Sequence, residues 1–379
     1  MEFGWTAAQT ARFEDTLAAV AEAFPPGERP SAGFYTRTSW RRLGKLGLLG
    51  LSVPVRYGGG GLGALDTAHQ MEALGRGCAH TGMVFGAGAH LFACAMPIAD
   101  FGTAAARERF LPGMCGGELI AGNAMTEAEA GSDVARLAVA AVRVPGGWVL
   151  NGEKSFVTNG PEADVFVTYA TTDPAAGHLG TTGFVVARSA AGLTVGEPFG
   201  KMGLDEVPAG GLRFADCFVP DDQVLGEPGS GGAIFQHSMG WERACLFAGF
   251  LGLYDTLVER CVRHARDRRQ SGRRIADFQA VSHRVADMKL RLEAARLLLY
   301  RACWEMDQGG PATLAVALSK LAVSEGLVAG ALDAVRIFGG RGYTRADGVE
   351  AVLRDAVPTV LFSGTSDVQR NLVARELGL

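Results

Sequence analysis

The sequence predicts an α+β protein in three consecutive parts, helical, then stranded, then helical. Two observations lead there: apolar spacing changes from the helical period to the strand period and back, and the glycine and proline punctuation changes with it. Residues 1–120 are Ala/Leu-rich with helical spacing, as in AAQTARFEDTLAAVAEAF and ARERFLPGMCGG, interrupted by RYGGGGLG at 56–63. Over 121–230 the runs WVLNGEKSFVTNG, ADVFVTYATTD, TGFVVARS and GGLRFADCFVP are short, β-branched and aromatic. Asn-Gly, Gly-Gly and Pro separate them, the mark of antiparallel strands and hairpins. GEPGSGG, 226–232, reads as a linker.

Helix resumes over 231–379. In VSHRVADMKLRLEAARLLLYRACWEM, Val281, Val285, Met288, Leu292, Ala295, Leu299 and Ala302 advance by alternating fours and threes, drawing one apolar stripe along a long helix. PATLAVALSKLAVSEGLVAGALDAVRIF predicts a second such helix with Pro311 in its first turn. No βαβ alternation appears, which argues against a Rossmann core.

At 379 residues and 48% apolar composition, the chain suffices for two or three domains with a large core. A net charge of −4 without a Lys/Arg run excludes a nucleic-acid binder. Seven scattered cysteines without a C-x-x-C pair read as buried thiols in a reducing compartment, and the histidines lack ligand spacing, so no metal site is expected. The N-terminal stretch carries acids from its second residue and no apolar signal region. No run approaches the length of an uninterrupted membrane span, so the expectation is a soluble cytoplasmic protein.

Ser363 lies in VLFSGTSDVQRN, 360–371. A hydrolase elbow needs G-x-S-x-G after a strand, which is absent; the stretch reads as a helix-entry turn whose backbone N–H groups suit an anion or an oxyanion. GGRGYT at 339–344 and YGGGGLG at 57–63 read singly as turns, and DRRQSGRRI at 267–275 as a solvated helix end. MTEAEAGSD, 125–133, and GEKSFVTNG, 152–160, form two polar turns of the β region suited to gripping a polar cofactor.

With WERACLFAGFLGL, ARDRRQSGRRIADFQAV, RIFGGRGYTR, VLRDA and SGTSDVQRN, these motifs follow an order that resembles the acyl-CoA dehydrogenase superfamily of flavoproteins along essentially the whole chain. Within it the chain looks like the prolyl- and acyl-carrier-protein dehydrogenases of natural-product pathways. The resemblance implies an N-terminal all-α domain (1–120), a central antiparallel β domain (121–230) and a C-terminal four-helix bundle (231–379), assembled as a homotetramer with one FAD per subunit.

Met125 and Thr126 would then lie along the isoalloxazine, Ser132 near the pyrophosphate, and Phe156, where the family often has tryptophan, over the flavin with Thr158 beside it. Arg268, Gln279 and the Gly339–Gly340 turn would serve the neighbouring subunit's cofactor, with Arg336 near the adenosine. Thr365 and Asp367 match the last flavin contacts. Three positions depart from the pattern: Ser271 replaces a phenylalanine, Arg336 a glutamine, and Asp367 stands where Gln or Glu is usual.

Many members carry at position 363 the glutamate that removes the thioester α-proton. Ser363 is too weak a base for this. In a minority, including isovaleryl-CoA and long-chain enzymes, the base precedes an arginine on a helix of the last domain, here Glu242–Arg243. Trp241, Leu246 and Phe247 flank Glu242, an apolar setting that raises a carboxyl pKa.

The resemblance therefore implies α,β-dehydrogenation of an acyl or aminoacyl thioester on CoA or a carrier protein. Glu242 takes the proton, the Ser363 N–H steadies the carbonyl oxygen, and electrons pass on to an electron-transfer flavoprotein or oxygen. Loss of the Ser363 hydroxyl is expected to be mild. The alternatives are a flavin monooxygenase of the N-oxygenase type and a non-catalytic flavin-binding homologue.

Overall fold

The computed structural model describes residues 4–25 and 33–379. The helical first part comprises α1 (Ala7–Ala23), α2 (Arg37–Lys45), α3 (Ala64–Gly77), α4 (Thr81–His90), α5 (Met96–Phe101) and α6 (Ala104–Gly116). Thr6, Thr36 and Thr103 cap α1, α2 and α6 by accepting a backbone N–H three residues on. A π turn, Leu91–Ala95, joins α4 to α5, and Thr81–Phe101 runs as one rod buried along its length. This rod and Thr313–Phe338 are apolar and long enough to cross a bilayer, although no uninterrupted apolar run announces them; here the first is a core helix.

Strands β1 (Ala121–Ala124), β2 (Ala140–Val144), β3 (Gly147–Thr158), β4 (Val165–Thr171), β5 (Thr181–Ala187), β6 (Leu193–Pro198), β7 (Ala209–Pro220) and β8 (Val224–Leu225) form one sheet in the order β6-β7-β3-β2-β4-β5-β8. It is antiparallel, as its hairpin runs predict, except that β1 lies parallel to β4 and Ala140, at the start of β2, pairs parallel with Thr171, so the sheet is mixed. The register of β3 against β7 slips between Lys154 and Val157, a bulge that turns Phe156 outward.

The last part contains α7 (Gly231–Trp241), a π turn (Glu242–Leu246), α8 (Phe247–Asp267), α9 (Gln279–Asp307), α10 (Thr313–Phe338), α11 (Gly340–Tyr343), α12 (Val349–Ala356) and α13 (Ser366–Glu376). The stripe read on α9 is its core face: Met288, Leu292, Ala295, Leu299 and Ala302 are fully buried, while Val281 and Val285 are partly so.

Two expectations are corrected here. Pro311 precedes α10 rather than sitting in its first turn. The arginine-dense stretch is not a helix end: α8 stops at Asp267, and β9 (Arg269–Gln270) pairs with β10 (Arg273–Arg274) around Ser271 and Gly272, both at positive φ. That geometry is a two-residue hairpin turn, stabilised by local pairing that a helical period does not reveal.

Helix α8 meets α3 almost backbone to backbone. A Cβ on Gly75 would fall 1.8 Å from the Gly249 carbonyl oxygen, and one on Gly252 2.2 Å from that of Glu72. This contact fixes the helix that follows Glu242 against the first helical part.

Candidate active site

Glu242 begins the π turn between α7 and α8, an irregularity that widens a helix and often marks a functional site. Apolar neighbours close round it, with the Trp241 ring parallel to Phe92 at 6.4 Å, and Glu242 and Arg243 are 7% and 8% exposed. The partner of the carboxylate is not Arg243. The Ser363 hydroxyl donates to Glu242 Oε1, while Arg243 Nε donates to the Ser363 carbonyl oxygen at 2.8 Å. The hydroxyl expected to be idle is therefore engaged. Burial pushes the Glu242 carboxyl upward, and the Ser363 bond and the Arg243 charge pull back without cancelling it.

The turn that carries Ser363 is held from several sides. Phe362 inserts among Phe85, Phe247 and Phe250, with centroids at 4.4, 5.5 and 5.8 Å. Ser363 and Gly364 both have positive φ, at 57° and 82°. A Cβ on Gly364 would lie 2.8 Å from Gln369 Nε2 and 3.2 Å from Arg243 Nη2, and the positive φ favours glycine there. Thr365 caps α13 by accepting the Val368 N–H. Among the described residues no acceptor takes the Ser363 N–H, which is thus available to a ligand.

A second group of predicted residues gathers on the sheet. Met125 is buried and Thr126 half-buried at the end of β1. Lys154, with its side chain fully buried, donates to the Met125 carbonyl oxygen at 2.9 Å and to Glu127 Oε1 at 2.8 Å. The Glu127 carboxylate also accepts the Ala138 and Val139 N–H groups, and Ser155 N–H donates to the Thr126 carbonyl oxygen. Burial draws the Lys154 pKa down to about 8 against this pair.

Phe156 is 66% exposed at φ 55°, a conformation bulky residues avoid, with its ring 5.4 Å from Phe199. Thr158 ends the same strand, and Ser132 is exposed in the loop after β1. Sequence reasoning missed the Glu127–Lys154 pair. Its signal was present, a glutamate and a lysine in the two motifs singled out, but nothing local ties them together.

The remaining predicted residues lie elsewhere on the chain. Arg268, Gln279, Arg336, Gly339 and Gly340 are exposed where α8 ends, α9 begins and α10 ends, an end marked by the stacking of His264 on Phe338 at 4.0 Å. Arg336 pairs with Asp333 at 3.2 Å. Asp367 is exposed in the first turn of α13, paired loosely with Arg370.

A buried carboxylate hydrogen-bonded to a turn with a free N–H is equipped to take a proton beside a stabilised carbonyl oxygen. The acyl-CoA dehydrogenase N-terminal, middle and C-terminal domain models match residues 9–118, 122–217 and 229–378. The chain belongs to the acyl-CoA dehydrogenase family.

It is 57% identical over 347 residues to the L-prolyl-(peptidyl-carrier protein) dehydrogenase of Pseudomonas fluorescens, covering 91% of each chain. The solved structure of PigA with FAD and proline superposes with a TM-score of 0.98 at 41% identity over the whole of both chains. The prolyl acyl carrier protein oxidase AnaB gives 0.96 at 37%, over 99% of this chain and all of that one. The family frame expected from the motif order, and its helical, sheet and helical parts, are those of this chain.

Proposed function

We propose that this protein is an FAD-dependent dehydrogenase of a carrier-bound prolyl thioester, with Glu242 as the base. One observation carries the reading. A buried glutamate is hydrogen-bonded by the serine at the very turn where many relatives keep their own carboxylate.

The residues present fit a flavin. Phe156 offers an exposed aromatic face from a strained bulge, Met125 and Thr126 present a rigid backbone edge, and Ser366 Oγ and Gln369 Oε1 are buried polar atoms without a protein partner beside the Ser363 turn. Met125, Thr126, Ser132, Phe156, Thr158, Thr365 and Asp367 would hold FAD. Arg268, Gln279, Arg336, Gly339 and Gly340, exposed at the bundle end, would hold that of a neighbouring subunit in a homo-oligomer, a tetramer by the family's pattern. When bound, FAD supplies the acceptor for the hydride that leaves the β-carbon.

The chain's own part is acid–base and electrostatic. The Ser363 N–H donates to the thioester carbonyl oxygen as negative charge develops there. Glu242 takes the α-proton, its raised pKa matching it to a weak carbon acid near neutrality. Arg243 holds the Ser363 carbonyl, so N–H and carboxylate keep one geometry. Seven buried free thiols support a reducing, cytoplasmic setting. Electrons then pass to oxygen or to an electron-transfer flavoprotein; the likeness to AnaB, an oxidase by name, favours the first, and that to an electron-transferring flavoprotein of Acidaminococcus fermentans the second.

The test is anaerobic mixing of the holoenzyme with L-prolyl-loaded peptidyl-carrier protein. Wild type should lose its flavin absorbance. Glu242→Gln should retain yellow FAD yet bleach about a thousandfold more slowly. Undiminished bleaching by Glu242→Gln overturns the assignment of the base. Product formation only with oxygen, and without Glu242, identifies the N-oxygenase alternative.

A further inference from the structure

The Ser363 side chain has no place in the chemistry just described, which uses only its N–H, yet it makes the one side-chain hydrogen bond to Glu242 found among the described residues. The contact is costly to arrange. Ser363 adopts φ 57°, a region that non-glycine side chains rarely occupy, and Gly364 follows at φ 82°. Arg243 Nε, bonded to the Ser363 carbonyl, and Gln369 Nε2, bonded to that of Gly364 at 3.1 Å, brace the turn from either side. A helix-entry turn that only had to expose an N–H would be served at least as well by glycine at 363.

Resting on the reading of Glu242 as the base, we propose that Ser363 is its positioning residue: by donating to Glu242 Oε1, the hydroxyl holds the carboxyl in its proton-accepting form and aims it from the turn that also presents the N–H. A donor at one oxygen favours the ionised state and leaves the other oxygen to receive the substrate proton. The Arg243 charge pulls the same way through space, while its Nε holds the Ser363 carbonyl.

The other charged and titratable groups around Glu242 do not do this work. Cys94 in the π turn Leu91–Ala95 and Tyr169 on β4 face it, and burial drives both upward, so they stay neutral wherever Glu242 titrates. Lys320 on α10 faces Arg243. Its amine is fully buried without a hydrogen-bond partner, 5.5 Å from the centre of the Phe247 ring, and burial draws its pKa to about 8. Its titration therefore falls on the alkaline side. The acid limb of the rate profile belongs to Glu242, tuned by the Ser363 hydroxyl.

The experiment compares anaerobic flavin bleaching by L-prolyl-loaded carrier protein across pH for wild type, Ser363→Ala and Ser363→Gly holoenzymes. Both variants keep the N–H and lose the hydroxyl, and glycine also relieves the left-handed backbone, so its folded state should be no less stable. The expected result is an acid limb moved to higher pH by about one unit in both, the size of a hydrogen bond to a charged group, whatever the height of the alkaline plateau. An unmoved limb in Ser363→Gly, with or without a lower plateau, overturns the proposal. Glu242→Gln measured alongside separates the two claims: if it bleaches like wild type, the base itself is wrongly assigned, whereas an inactive Glu242→Gln with an unmoved Ser363→Gly limb removes only the role of the hydroxyl.

Discussion

Lys154 shows how a residue distant from the chemistry fixes its frame. Its amine is shared between the Met125 carbonyl and Glu127, and the Glu127 carboxylate reaches on to two backbone N–H groups, so one buried pair ties the end of β1 to the start of β2. Replacing both partners by apolar groups could be nearly neutral, but removing one leaves a buried charge alone. Lys154→Met should therefore lower unfolding free energy by about 3–5 kcal/mol in denaturant titration and release FAD on gel filtration. A variant with wild-type stability and flavin content would mean that the pair does not hold the strand end.

Helix α8 depends on closeness rather than on side chains. Gly75 and Gly252 allow its backbone to touch α3, and the π turn immediately before α8 carries Glu242. Gly75→Ala places a methyl group where the Gly249 oxygen stands, so the helices must part. The expected cost is about 3 kcal/mol or more, seen as a lower melting temperature, with a larger fractional fall in bleaching rate than in FAD content. A fall in stability alone, with bleaching intact, would show that α3 does not set the position of the base. The elements themselves were legible to different degrees. The stripe on α9 was readable because burial repeats with the helix period, whereas the β9–β10 hairpin was not, since its Ser271–Gly272 turn breaks a charged run that carries no apolar period at all.

The three parts cohere through contacts that cross their boundaries. His90 in α4 donates from Nε2 to the Met114 carbonyl and accepts the Ala121 N–H at Nδ1, joining the first helical part to β1. Burial draws its pKa down to about 4. The unfolded chain binds this proton near pH 6.5 and the folded one only near 4, so stability is complete above 6.5 and is lost as pH falls through that window. The single group should contribute about 3 kcal/mol to the loss. A His90→Gln variant should show a flatter fall between those pH values in urea titrations; an equally steep one would assign the acid sensitivity to other groups.

Periods, caps, hairpin runs and motif order are properties of neighbours along the chain, and from them alone came the α, β, α order, the family and the suspicion that Glu242 replaces a carboxylate missing at 363. That Ser363 reaches Glu242 across 121 residues, that Lys154 holds Met125, and that Ser363 adopts a left-handed backbone could not come from there. Such contacts join segments whose separation in space is decided only when helices and sheet pack into a single core. A one-dimensional pattern says which face of an element is buried, and three-dimensional packing alone says what that face meets.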